Sequence, residues 1–140
     1  AVLAHELGHF KRNHIKKSLA LSILMPLGGF ALLAWLMNSA WFYSAMGVET
    51  ASTHTALLLF MFVLPVFTYF ISPLFSAMSR KHEFEADDFA KQQSDYRALV
   101  SALVNMYREN ASTLTPDPIH SMFYDSHPPA SIRISHLESN

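Results

Sequence analysis

Two stretches of this chain hold no Asp, Glu, Lys, Arg or His at all, residues 18–46 and residues 55–79. A helix crosses the ~30 Å hydrocarbon core of a bilayer with roughly 20 apolar residues. Each run is long enough to do so, and together they read as a membrane hairpin. Pro26 with Gly28 and Gly29 should kink the first helix, Pro65 and Pro73 the second; membrane helices tolerate such breakers when neighbours satisfy the freed backbone groups. The alternative is a pair of buried core helices in a larger soluble protein. Overall, 51% of residues are hydrophobic and 15% charged, against about 25% charged in soluble domains.

The charges outside the runs orient the hairpin. The connection at 47–54 holds Glu49 and no Lys or Arg, whereas Lys11, Arg12, Lys16 and Lys17 precede the first run and Arg80 and Lys81 follow the second. Positive residues favour the cytoplasmic side, so both outer flanks should meet there. The formal net charge of −1 gives no reason to expect nucleic acid as a partner. The absence of cysteine excludes disulfides and thiolate metal sites. Residue 1 is not Met and stands four positions before a catalytic-looking motif, so we expect the natural protein to hold earlier segments.

That motif is His5-Glu6-Leu7-Gly8-His9, an H-E-x-x-H match. Four residues turn a helix through about 400°, which puts His5 and His9 on one face, one turn apart, as two imidazole ligands for Zn²⁺. Glu6 lies roughly 100° round from His5 and can reach a metal-bound water as general base. A catalytic zinc needs a third protein ligand and an open position. His14 is a poor source. On a continuous helix it lies about 900° from His5, on the opposite face, and reads as a solvated or interfacial residue. Gly and His are also absent three and six residues after His9, where Arg12 and Ile15 stand.

Glu83-Phe84-Glu85-Ala86-Asp87 is the better source. Glu83 and Asp87 are four apart and share a helix face, so Glu83 can ligate while Asp87 accepts the spare N–H of a ligand histidine. Glu85 and Asp88 should point elsewhere. The same residues also suit an ordinary acidic first turn of a helix. Beyond them, a helix should run from Glu83 to about Gln93. Asp95 should cap another carrying Leu99, Leu103, Met106 and Tyr107, and residues 111–129 should form a long loop before a closing helix over 130–138.

HELGH, a hydrophobic hairpin and then RKHEFEAD at 80–87 resemble the CAAX prenyl protease 1 type of integral-membrane zinc metalloprotease, a gluzincin group related to the HtpX heat-shock protease. NASTLTPDP at 110–118, SHPP at 126–129, Arg133 and Ile134 resemble the prenyl protease branch more than HtpX. The resemblance implies an all-α fold in which a membrane hairpin (18–79) is flanked by an HExxH helix (1–17) and by cytoplasmic-side helices with the third ligand (80–140). It implies one Zn²⁺ per chain on His5, His9 and Glu83, with Glu6 as catalytic glutamate and Asp87 behind the ligands. His127 and Arg133 take the places of the family's active-site His and Arg, where they could stabilise an oxyanion or bind substrate. Outside the resemblance, His127 reads as a loop residue and Arg133 as a solvated helix charge.

The implied activity is peptide-bond hydrolysis by a membrane-embedded zinc endopeptidase. Its partners are the lipid bilayer and a peptide or protein substrate, prenylated near its C-terminus or a damaged membrane protein. The setting is a bacterial inner membrane, where quality control is the better fit, or the endoplasmic reticulum. The family has further membrane helices before HELGH, so much of its chamber is expected to lie outside this stretch. A sequon at Asn110-Ala111-Ser112 conflicts with a cytoplasmic location. The rival from another class is a non-catalytic membrane scaffold stabilised by zinc, which would have no use for Glu6.

Overall fold

The computed structural model describes residues 1–109 and 116–139, and among them there are helices and no strand. In order these are α1 (Val2–Lys11), α2 (His14–Met37), α3 (Ala40–Ala45), α4 (Thr53–Gln93), α5 (Tyr96–Glu109), α6 (Pro118–Tyr124) and α7 (Ala130–Ser139). The chain divides into two compact units, Lys16–Ile71 and the combination of Ala1–Ile15 with Ser72–Asn140.

In Lys16–Ile71 the helices are apolar on most faces. A small cluster of Leu33, Leu36, Phe42, Tyr43 and Ala56 is buried, while Leu27, Phe30, Trp35, Phe62 and Phe67 are exposed. Both α2 and α4 are long and apolar enough to cross a membrane, and their most apolar windows are only 11% and 0% buried. The helices run unbroken through Pro26, Pro65 and Pro73. The first uncharged run breaks near its end. Asn38 Nδ2 donates to the Ala34 carbonyl at 2.8 Å and Ser39 Oγ to that of Trp35 at 3.0 Å, capping carbonyls that α2 leaves open. Gly47, with φ 72°, takes the left-handed conformation that a side chain disfavours, and α4 begins at Thr53.

The other unit has a conventional small core of Ala90, Leu99, Leu103 and Leu137, with Ala4, Tyr96, Val100 and Ile134 packed around it. Asp95 Oδ1 accepts the Arg97 N–H at 3.0 Å at the start of α5, as an N-cap should. Two expectations need correction. Residues 1–17 are not one helix: α1 stops at Lys11 and Asn13 adopts φ 57°, a left-handed position that Asn tolerates better than most residues. Nor is 111–129 all loop, because α6 occupies Pro118–Tyr124. Asp117 Oδ1 caps it, accepting the N–H groups of Ile119 and His120 at 2.9 Å each, and Pro118 sits in its first turn, a position Pro favours. The sequon and most of the NASTLTPDP stretch fall outside the described residues.

Candidate metal centre

Helix α1 meets the polar end of α4 at a close approach that glycine suits. A Cβ on Gly8 would stand 3.0 Å from Ala86 Cα and 3.1 Å from its carbonyl oxygen. Backbone atoms cannot swing aside, so Gly8 and the fully buried Ala86 set how closely the two helices approach. That approach brings the candidate ligands together.

His5 Nε2 and His9 Nε2 stand 3.2 Å apart. His5 Nε2 is 3.6 Å from Glu83 Oε2, and His9 Nε2 is 3.4 Å from Glu83 Oε1. Zinc–ligand bonds of about 2.0–2.2 Å in a tetrahedron place neighbouring ligand atoms roughly 3.3–3.6 Å apart. The two imidazole nitrogens come close to that spacing, and each has a Glu83 oxygen nearby, Oε2 for His5 and Oε1 for His9. One ligand atom from each of the three residues lies within 4.8 Å of the others. Two imidazoles and a carboxylate are a donor set that suits zinc, and His5, His9 and Glu83 are the metal-capable group found among the described residues. Burial lowers the His9 pKa, outweighing the Glu83 carboxylate, and the neighbouring His5 and His14 act in the same direction. A neutral imidazole is the form that ligates.

Asp87 and Arg133 lie behind the ligands. Asp87 Oδ1 is 2.8 Å from His5 Nδ1. Arg133 grips the same carboxylate at both oxygens, Nε to Oδ2 at 2.7 Å and Nη2 to Oδ1 at 2.6 Å, and its Nη1 is 3.0 Å from Glu83 Oε2. Burial by itself would raise the Asp87 pKa, but the hydrogen bonds from His5 and Arg133 and the charge of Arg133 hold it below the ordinary value. Burial likewise opposes the charge on Arg133, and the Asp87 and Glu83 carboxylates more than offset it, raising its pKa. Arg133 is thus no solvated helix charge. It is 5% exposed and fixes two carboxylates; the Glu83 oxygen it holds, Oε2, is the one near His5, while Oε1 lies near His9.

Glu6 is exposed and lines a cleft of about 420 Å³ together with His5, His9, Glu83, His127 and Arg133. An apolar part of its lining is formed by Leu99, Ala102, Leu103 and Met106 of α5. His127 stands at the mouth, its side chain 66% exposed and Nε2 3.5 Å from Glu83 Oε1. The segment carrying it is pinned by Arg80, whose Nη1 donates to the carbonyls of Ser121 and Asp125 at 3.2 and 2.8 Å, at the C-terminal end of α6 where a cation is favoured.

His14 does not sit where periodicity placed it. It is 2% exposed, its Nδ1 3.1 Å from His9 Nδ1 and its Nε2 2.9 Å from Glu85 Oε2. The rotation of about 900° holds only for an unbroken helix; the turn at Asn13 resets it. Asn13 was the available signal. Glu85, expected to point elsewhere, is joined to the candidate ligand His9 through His14, and Asp88 pairs with His136 Nε2 at 2.7 Å.

The sequence profile of Peptidase family M48 matches residues 1–140. The chain is 37% identical over 141 residues to the CAAX prenyl protease 1 homolog of Oryza sativa subsp. japonica, covering 99% of this chain and 32% of that protein. Identity to the CAAX prenyl protease 1 homolog of Homo sapiens is 33%, covering 99% of this chain and 30% of that protein. The crystal structure of S. mikatae Ste24p superposes with a TM-score of 0.82 at 30% identity, covering 98% of this chain and 35% of that one. The chain thus spans about a third of the length of these relatives.

Proposed function

The chain belongs to peptidase family M48, and from that premise we propose that it carries the catalytic centre of a membrane-embedded zinc endopeptidase. The observation that carries this reading is the convergence of His5, His9 and Glu83, with the two Nε2 atoms 3.2 Å apart, His5 Nε2 3.6 Å from Glu83 Oε2 and His9 Nε2 3.4 Å from Glu83 Oε1, beside an exposed Glu6. Zinc held by these three residues would supply Lewis acidity, which polarises a scissile carbonyl and lowers the pKa of a water.

The protein's own groups do the rest. Glu6 accepts the proton of the attacking water and returns it to the leaving amine nitrogen. His127, at the mouth of the cleft, offers a ring N–H toward the oxygen on which negative charge develops. Arg133 is a positioning residue, because its guanidinium nitrogens already face Asp87 and Glu83. The apolar lining formed by Leu99, Ala102, Leu103 and Met106 suits apolar substrate side chains. Two helices long and apolar enough to span a bilayer and cationic outer flanks support a bilayer setting with the site on the cytoplasmic side. The relatives' name supports a substrate cut near a prenylated C-terminus.

Peptidase activity and zinc content of the full-length protein test this. Glu6→Gln should retain zinc and lose activity by roughly 10²–10⁴-fold. Equal activity in the variant would remove Glu6 from the chemistry, and an unmodified protein that holds zinc but cleaves nothing would favour the scaffold.

A further inference from the structure

We propose that Glu85 and His14 form a relay that sets the tautomer of His9, holding its Nε2 bare toward the metal; this rests on the zinc reading above. The two Nδ1 atoms of His9 and His14 lie 3.1 Å apart. Between two neutral imidazoles, one of these nitrogens must donate and the other accept. Glu85 decides which. Its Oε2 is 2.9 Å from His14 Nε2, and an ionised carboxylate can only accept, so His14 carries its proton on Nε2. His14 Nδ1 is then bare and accepts the His9 Nδ1–H. His9 Nε2 is left with its lone pair, directed at the point shared with His5 and Glu83.

The reverse arrangement fails on the same geometry. A proton on His14 Nδ1 would put the His9 proton on Nε2, where it blocks ligation, and would face the Glu85 carboxylate with a lone pair. His5 reaches the same tautomer by a shorter route, with Asp87 accepting its Nδ1–H at 2.8 Å. The two ligand histidines are therefore fixed by two devices, one a carboxylate and the other a carboxylate acting through a second histidine. Two features hold His14 in place. The left-handed Asn13 turns the chain back, and the His82 ring stacks on His14 at 4.0 Å between centroids and 13° between planes.

Two substitutions separate this role from packing. His14→Phe keeps the ring volume and the stack on His82 but offers no acceptor to His9. His14→Asn loses the ring, but its side-chain oxygen can accept near the position of Nδ1. Zinc affinity of the full-length protein in detergent is measured by chelator competition, with the visible spectrum of the Co²⁺-substituted protein and the melting temperature followed in parallel. Loss of an outer-shell partner costs roughly ten- to a hundredfold in metal affinity. That loss is expected for His14→Phe, with most of it recovered and the Co²⁺ spectrum restored in His14→Asn, although the Phe variant is the better packed. Affinity that follows packing, with Phe at or above Asn, overturns the relay while leaving the zinc site standing. An unmodified protein that binds no zinc overturns the metal reading itself, and the relay with it.

Discussion

The two units of this molecule handle polarity in opposite ways. In Lys16–Ile71, large apolar side chains such as Phe30, Phe62 and Phe67 lie exposed, and no buried charged group is present among the described residues. In the unit built from Ala1–Ile15 and Ser72–Asn140, His5, His14, Glu83, Asp87 and Arg133 are all buried. Burying charge is costly unless it is paired and hydrogen-bonded. Here each group has a partner: Arg133 spans two carboxylates, Asp87 also accepts from His5, and His14 bridges His9 and Glu85. One unit is suited to an apolar solvent, and the other keeps its own polar network out of solvent.

The sharpest way to break that contrast is to unpair the network. Arg133→Leu leaves Asp87 and Glu83 buried without their cation, and should destabilise the protein by about 3–5 kcal/mol, read as a fall in melting temperature. Arg133→Lys should rescue little, since an ammonium cannot reproduce the fork. A loss within ordinary surface-substitution scatter would mean that the pairing is dispensable. In the other unit, Phe67→Lys tests the solvent itself. Near the middle of a bilayer span a lysine costs roughly 2.5–3.5 kcal/mol, whereas an exposed position in water tolerates it within about 0.5 kcal/mol. The inserted fraction in a membrane-insertion assay distinguishes the two.

Smaller effects test how the site is held. Gly8→Ala pushes a methyl group against the Ala86 backbone, and overpacking of this kind costs about 1–3 kcal/mol. It should also spread His5 and His9 from Glu83 and weaken zinc binding, as chelator competition would register. Unchanged affinity would show that the approach of α1 to α4 is not what sets the ligand spacing. Asp117→Ala removes the cap of α6 at a cost of about 1 kcal/mol. Faster hydrogen exchange confined to α6 and the His127 segment is the expected result, and global destabilisation would contradict it.

What the sequence disclosed about the site followed from helical periodicity wherever the helix was unbroken. His5 with His9, and Glu83 with Asp87, are each four residues apart on one helix, so their shared faces could be read without coordinates. His14 was misplaced because two residues, Arg12 and Asn13, interrupt the helix and redirect the chain. A single left-handed residue changes rotation by an amount that spacing cannot supply. The helix at Pro118–Tyr124 does not stand out in the sequence although Asp117-Pro118 is a cap followed by a favoured first residue, because seven residues carry too little periodicity. The grip of Arg133 on Asp87 joins residues 46 apart and depends on how α7 packs, which no local pattern encodes.

The proposed function requires His5, His9 and Glu83 to hold one zinc ion between them. Zinc content of the full-length protein, compared with its Glu83→Gln variant by elemental analysis after dialysis, tests this most directly. One zinc per chain is expected in the unmodified protein and a clear loss in the variant, with the variant still folded. Undiminished zinc in the variant, or none in the unmodified protein, would contradict it.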